Sequence, residues 1–107
     1  MVKYISLLRL KSGVDAEEAY KVWIENHSVW AKGLLLPEVK RYTVNRVIHT
    51  LGETEIYGFP EFEFDDLESA KRALNRTFSA PPDKFLTEYA MSMGRVIAQE
   101  VEITLPK

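Results

Sequence analysis

A chain of 107 residues, 46% of them hydrophobic and 28% charged, is expected to form one globular domain without room for a separate cofactor domain. Its net charge of −2 comes without a basic run or a basic, aromatic-rich patch, which argues against a nucleic-acid partner. Cysteine is absent, so disulfides, a thiolate nucleophile and the common cysteine-bearing zinc sites are excluded, and the cytoplasm is the expected compartment.

The first predicted element is a strand over Val2–Leu10, which is apolar at nearly every position. This pattern is typical of a strand that is buried on both faces. Charges at Lys3, Arg9 and Lys11 lie in and directly after the apolar run. A signal peptide or a membrane span is therefore not expected here, and neither is a membrane partner.

A helix is predicted next, from a capping box of Asp15 and Glu18 to about Gly33, before Pro37 prevents its continuation. One face of this helix carries apolar residues at helical spacing, namely Tyr20, Trp23, Trp30, Ala31 and Leu34. His27 falls on the same face. An imidazole there must be hydrogen-bonded inside the protein or look into a cavity, because burying it unpaired would be unfavourable.

Two strands are predicted in the middle of the chain. Residues 39–48 are rich in β-branched side chains, and residues 49–55 form a turn. Residues 56–64 form the next strand, in which Phe62 and Phe64 alternate with Phe59, Glu61 and Glu63. Phe62 is expected to face the helices. Glu61 alternates out of phase with Phe62 and is expected to face the opposite side of the sheet.

The last third of the chain predicts a helix, a loop, a short helix and a strand. Asp65 and Glu68 form a second capping box that opens the first of these helices. Residues 77–82 are predicted as the loop, residues 83–93 as the short helix and residues 95–105 as the final strand.

The predicted order is βαββαβ with one extra short helix, which indicates an α+β, ferredoxin-like fold with helices on one face of an antiparallel sheet. Several strand residues are too apolar to be left in water on the uncovered face: Ser6, Leu8, Tyr42, Val44, Phe59 and Val101. A second copy of the sheet would cover them. We therefore expect a homodimeric α/β barrel with an interface of roughly 2,000 Å² or more and a pocket between the sheet and the partner.

Four segments carry a more specific signal. They are W-I-E-N-H-S-V-W-A-K over 23–32, L-P-E-V-K-R-Y-T-V-N over 36–45, Y-G-F-P-E-F-E-F-D-D over 57–66 and A-Q-E-V-E over 98–102. In this order, and over most of the chain, they resemble the EthD-like family of the dimeric α/β barrel superfamily, which includes methylmuconolactone methylisomerase. The chain differs from the family pattern at Glu38, Tyr57, Pro60 and Glu63.

The resemblance implies a cavity in which a few polar groups lie in an aromatic wall, and chemistry that needs no metal or organic cofactor. The sequence itself also argues against a metal site, because His27 and His49 lie on different predicted elements and no clustered carboxylates accompany them. The implied function is a cofactor-independent isomerase, cyclase or decarboxylase that acts by proton transfer on a small carbonyl, lactone or polyketide-like substrate. The alternatives are a non-catalytic dimeric binding or accessory protein, or a haem or quinol monooxygenase with His27 as axial ligand.

His27 is the first candidate catalytic residue, because a neutral imidazole can remove a proton next to a carbonyl and return it elsewhere. The alternative role is a core histidine bonded to a backbone carbonyl. Tyr42 matches the tyrosine of the family strand, where its hydroxyl would donate to an enolate oxygen as charge develops. Its alternative role is a barrel aromatic whose hydroxyl reaches the rim.

Glu61 is the third candidate. A carboxylate on the barrel side of the sheet would orient His27 or act as an acid. The alternative is an ion pair with Arg41, Arg46 or Arg95 that holds the sheet or the dimer together.

Overall fold

The computed structural model describes residues 1–106 and contains four strands with helices on one side of the sheet. The strands are β1 (Val2–Leu10), β2 (Arg41–Arg46), β3 (Gly58–Phe64) and β4 (Ala90–Gln99). The helices are α1 (Ala16–Val22), α2 (Ser28–Leu35) and α3 (Leu67–Ser79). The sheet order is β2-β3-β1-β4 and every neighbouring pair is antiparallel, which confirms the expected α+β, ferredoxin-like fold.

The helical segment after β1 is unbroken from residue 16 to residue 35, but it contains a π-helical turn at Trp23–His27. Asp15 caps its start by accepting a hydrogen bond from the backbone N–H of Glu18, as the capping box predicted. Trp23 and His27 are the buried residues of the π turn. Such turns insert one residue into an α-helix and are frequent at functional sites.

The second half of the chain differs from the predicted bounds. The residue that caps α3 is Asp66 rather than Asp65, and its carboxylate accepts a hydrogen bond from the backbone N–H of Ser69 at 2.7 Å. The helix continues to Ser79, which leaves only the end of the predicted loop as a loop. Asp66 has the extended backbone of a helix N-cap, and this conformation decides the choice between two adjacent aspartates.

The short helix predicted over 83–93 is a single π-helical turn, Phe85–Tyr89, and β4 begins directly after it at Ala90. Pairing with β1 explains the change, because Ala90 lies opposite Leu10 and the ladder continues through a bulge. Hydrogen bonds to a neighbouring strand outweigh the local helical pattern of this segment. The strand ends at Gln99, so the predicted extension to residue 105 is wrong.

The pairing register places side chains on two distinct faces of the sheet. Tyr42, Phe62 and Tyr4 lie opposite one another across three strands and share the face that the helices cover. Four of the residues expected on the uncovered face belong to this covered face instead: Ser6, Leu8, Tyr42 and Val44. The prediction was wrong for them because it set their phase strand by strand, whereas antiparallel pairing with Phe62 sets it for the whole sheet.

The opposite face of the sheet, here called the open face, has no helix of residues 1–106 against it. Lys3, Thr43 and Glu61 lie on it and are partly buried by their neighbours. At the edge strand β4 the apolar side chain of Val96 is 56% exposed. Within residues 1–106, no helix combines the length and the apolar character that crossing a membrane requires.

Candidate functional site

A cavity of about 360 Å³ lies between the covered face of the sheet and the helices α2 and α3. Its sheet wall includes Tyr4 and Phe62, and its helical wall includes Trp30, Leu74 and Phe78. The cavity therefore lies within one chain, on the helix side of the sheet. The expected pocket between sheet and partner is corrected accordingly, because the large residues that were expected to form it face the helices.

His27 lines this cavity from the π turn. The residue is only 7% exposed, and its ring lies between aromatic neighbours, with centroid distances of 4.9 Å to Phe85 and 5.3 Å to Trp30. The ring is hydrogen-bonded inside the protein and also borders a cavity. These are the two situations that the sequence predicts for a histidine on an apolar helix face.

The hydrogen-bond partner of His27 is Asp83, with 2.8 Å between Nδ1 and Oδ2. Both side chains are mostly buried, at 9% and 13% exposure. The other carboxylate oxygen of Asp83 accepts a hydrogen bond from the backbone N–H of Leu86, which starts the turn Phe85–Tyr89. Asp83 is therefore held by its own backbone turn, and it fixes the orientation of the imidazole.

Burial lowers the pKa of His27 from its ordinary value of 6.5 and outweighs the opposite effect of the Asp83 carboxylate. The neutral ring then donates its Nδ1 proton to Asp83 and keeps a lone pair on Nε2. Nε2 has no hydrogen-bond partner within residues 1–106. It is also not among the unpartnered atoms sealed from solvent, which are Trp23 Nε1 and Tyr42 Oη. A basic nitrogen thus remains accessible beside the cavity.

The wall contributed by β1 and β4 is polar. The hydroxyl oxygens of Ser6 and Ser92 are 3.0 Å apart, and the guanidinium of Arg95 lies 5.4 Å from the ring centroid of Phe78. All four residues line the cavity together with Tyr4. Burial raises the pKa of the Tyr4 hydroxyl, and the nearby charge of Arg95 acts in the opposite direction. The cavity therefore combines an imidazole, hydroxyl groups and one cation in a largely aromatic wall.

Tyr42 lies near this site without lining the cavity. Its ring stacks on Phe62 with a centroid distance of 4.3 Å, and its hydroxyl is sealed without a hydrogen-bond partner in residues 1–106. Burial, followed by the negative charge of Asp83, raises the pKa of Tyr42 to about 12. The hydroxyl stays protonated at neutral pH, and the aromatic ring supports the cavity wall from behind Phe62.

Glu61 is on the open face, separated from His27 by the sheet. Its carboxylate lies 3.7 Å from Lys3 Nζ and accepts hydrogen bonds of 3.5 Å from Thr43 Oγ1 and Asn45 Nδ2. Asp83 therefore orients His27, and the prediction that Glu61 orients it is wrong. The alternative of a structural ion pair describes Glu61 better, with Lys3 as the partner in place of the three arginines.

Two residues of the site were missed at the sequence level, Asp83 and Arg95. Asp83 lies 56 positions from its partner, and only its place after two prolines and before Phe85 and Leu86 hinted at a fixed turn. The sequence predicts Arg95 only as one of three possible ion-pair partners of Glu61. No group of three or more residues suited to hold a metal ion occurs among the described residues.

The sequence matches no protein-family model, and it matches no curated protein. Solved structures do share the fold. An EthD family protein from Bacillus halodurans has a TM-score of 0.63 and 22% sequence identity, with 94% of this chain and 99% of that chain covered. SnoaB, a cofactor-independent oxygenase from Streptomyces nogalater, has a TM-score of 0.59 and 14% identity, with 99% and 97% covered.

A dimeric protein of ferredoxin-like fold from Bacteroides fragilis has a TM-score of 0.52 and 21% identity, with 91% of each chain covered. These likenesses confirm the ferredoxin-like fold that was expected from the element order. The presence of an EthD family protein among them agrees with the family that the sequence motifs resemble.

Proposed function

We propose that the protein is a small-molecule enzyme that works by proton transfer, with His27 as the general base. The observation that carries this proposal is the pair of His27 and Asp83 at a cavity of about 360 Å³. Nδ1 donates its proton in the hydrogen bond to Asp83, and the accessible Nε2 can take a proton from a bound substrate. The pKa of the ring is below 6.5, so the base is in its neutral form at neutral pH.

The shape and lining of the cavity favour a flat carbonyl compound as substrate. Tyr4, Phe62 and Phe78 provide aromatic surfaces, and a cavity of this size accepts a molecule of about two fused rings. Removal of a proton next to the carbonyl gives an enolate, which hydroxyl groups and the cation at the opposite wall would stabilise. Return of the proton at another position is an isomerisation; attack of the enolate on a second carbonyl is a cyclisation.

Exchange of a C–H proton tests this proposal without knowledge of the natural substrate. The purified protein is incubated with 1-tetralone or 1-indanone in D₂O, and loss of the signal of the protons next to the carbonyl is followed by NMR. Nε2 takes the proton, exchanges it with solvent and returns a deuteron. We expect exchange above the buffer rate that His27→Gln abolishes and His49→Gln retains, since His49 lies in the exposed turn. Exchange at the buffer rate with both ketones would contradict the proposal.

Oxygen chemistry is a second candidate, favoured by the fold likeness to SnoaB, which is a cofactor-independent oxygenase. The same deprotonation by His27 would give an electron-rich anion able to react with O₂. An oxygen electrode separates the two functions, because isomerisation and cyclisation consume no oxygen. Binding of ketones without exchange or oxygen uptake would favour a non-catalytic binding protein.

The protein is proposed to be a homodimer in which two open faces meet. This assembly is supported by the absence of a helix on that face in residues 1–106 and by the 56% exposure of Val96. The similar fold from Bacteroides fragilis is dimeric. Sedimentation at micromolar concentration tests the assembly: a mass twice that of the 12.3 kDa chain is expected, and a monomer would contradict it.

A further inference from the structure

The charge in the lining of the cavity is unusual for this chain. The chain contains 16 acidic and 14 basic residues, yet among the described residues that line the cavity Arg95 is the only one with a permanent charge. No aspartate or glutamate is part of that lining. Asp83, which bonds His27, does not line the cavity. An anion that enters the cavity therefore meets a cation without meeting a carboxylate.

Arg95 also differs from most arginines of the protein in lacking an acidic partner. Salt bridges within 4.0 Å of a carboxylate are made by Arg9, Arg46, Arg72 and Arg76. Arg95 makes none within residues 1–106. Arg95 is exposed, and its guanidinium lies 5.4 Å from the ring centroid of Phe78. The N–H donors of its guanidinium are therefore available at the cavity wall to bind a carboxylate in a bidentate manner.

Neutral donors surround this cation. Arg95 lies directly opposite Ser6 in the pairing of β1 and β4, and the hydroxyls of Ser6 and Ser92 are 3.0 Å apart. The hydroxyl of Tyr4 is close enough to Arg95 and Ser6 for both to influence its pKa. A carboxylate needs several donors to replace its water, and these hydroxyls supply them beside the guanidinium.

We propose that Arg95, with Tyr4, Ser6 and Ser92, forms a carboxylate subsite, so that the substrate is a flat carbonyl compound carrying a carboxylate group. This inference rests on the proposed function for the role of the cavity, and it adds the chemical class of the molecule that the cavity takes. The carboxylate binds at the wall of β1 and β4, and the C–H bond to be broken lies toward His27.

Two probes of nearly equal shape test the subsite. The naphthalene derivatives 1-naphthoate and 1-naphthamide differ in charge, and their binding to the full-length protein is followed by the NMR shifts of backbone amides. We expect the carboxylate to bind about tenfold more tightly than the amide, as charge-assisted hydrogen bonds imply. Equal or weaker binding of the carboxylate in the wild-type protein would overturn the proposal without any variant.

Variants then assign the preference to Arg95. Arg95→Gln is expected to lose the tenfold preference while binding the amide as before, which also verifies its fold. Arg72→Gln is the matched control, because Arg72 is exposed on α3 and contacts Ser69 and Glu38, neither of which lines the cavity. A preference that survives in Arg95→Gln would overturn the assignment. Should Arg95→Gln not fold, Arg95→Lys keeps the charge without the guanidinium and is expected to show a reduced preference; an undiminished preference would overturn the bidentate subsite.

Failure of this inference and failure of the proposed function give different results. His27→Gln should keep the carboxylate preference and lose exchange of ketone protons, because His27 and Arg95 act on different parts of the ligand. Carboxylate preference without exchange would leave the subsite in place and reject His27 as base. Exchange without carboxylate preference would support His27 as the base and reject the carboxylate subsite.

Discussion

The two sides of the sheet each have a pair of one acidic and one basic residue, and the surroundings of the two pairs differ. On the open face, Glu61 and Lys3 form an ion pair with 27% and 20% of their side chains exposed. On the helix side, Asp83 from a loop and His27 from the π turn form a hydrogen-bonded pair with 13% and 9% of their side chains exposed, beside a cavity. In a single chain the first pair remains in contact with solvent and contributes little beyond structure. In the second, burial changes the protonation of the imidazole, so enclosure rather than residue type creates the candidate chemistry.

Exchange kinetics should separate the two faces most strongly. His27→Ala is expected to lower the rate of ketone proton exchange about a hundredfold or more, the usual contribution of a positioned general base. Glu61→Gln, on the open face, should change the rate less than about twofold, because the carboxylate contacts Lys3, Thr43 and Asn45 and not the cavity. Equal losses in the two variants would break the comparison.

Stability should also differ between the faces, and two glycines of the sheet test this. A Cβ added to Gly58 on the covered face would lie 2.8 Å from ring carbons of Trp23, which is fully buried. Gly58→Ala is therefore expected to lower the free energy of unfolding by about 1–3 kcal/mol. A Cβ on Gly94 would meet nothing within 4 Å, and Gly94→Ala should stay within about 0.5 kcal/mol. Urea denaturation measures both, and similar values would contradict the packing described for Gly58.

Asp83→Asn sharpens the comparison within the covered face. The amide oxygen can still accept the Nδ1 proton, but the charge that raises the pKa of His27 is lost. We expect the pKa of His27 to fall further and the exchange rate to drop about tenfold, as for other partners that orient a catalytic imidazole. Asp15→Asn is the control, since the Asp15 carboxylate accepts a hydrogen bond from the backbone N–H of Glu18 and does not line the cavity. An unchanged rate in Asp83→Asn would show that the negative charge of Asp83 is not needed for the exchange reaction.

The smallest expected effect is the dependence of stability on pH. The pKa of His27 is lower in the folded protein than the ordinary 6.5, so the unfolded chain binds a proton first as the pH falls. The contribution of the neutral ring is present above pH 6.5 and is lost as the pH falls toward the folded-state pKa. The free energy of unfolding should therefore decrease more between pH 7.5 and pH 5.5 in the wild-type protein than in His27→Gln. Identical pH profiles would contradict the lowered pKa.

The fold was largely predictable from the sequence because its signals are local. The capping box at Asp15 and the alternation around Phe62 each specify one element, and their order leaves few topologies. The predicted element bounds are wrong where pairing with a distant strand decides the local structure. Ala90, for example, pairs with Leu10 and does not continue a helix. Such pairing is a property of the assembled sheet and leaves no local pattern.

The site was predictable only in part. His27 was identified because a polar residue on an apolar helix face requires an explanation, and the structure provides one in Asp83 and the cavity. Asp83 reaches His27, and Arg95 reaches the cavity, from segments far along the chain from His27. Their local sequence gives no signal that they belong to the site, beyond the hint of a fixed turn at Asp83. The sequence predicts that Glu61 and Tyr42 lie on the same side of the sheet and face one pocket, but the register puts them on opposite faces. Their predicted catalytic roles stay predictions without support from the cavity.

The central claim is that His27 is a neutral base held by Asp83, and NMR of the histidine rings tests it most directly. The chain has two histidines, so ¹⁵N-labelled imidazole signals can be assigned with a His49→Gln variant. The account predicts a ring protonated at Nδ1 at neutral pH, with a pKa below 6.5, whose Nε2 signal shifts when 1-tetralone fills the cavity. A ring protonated at Nε2, or one that titrates above 6.5, would contradict it.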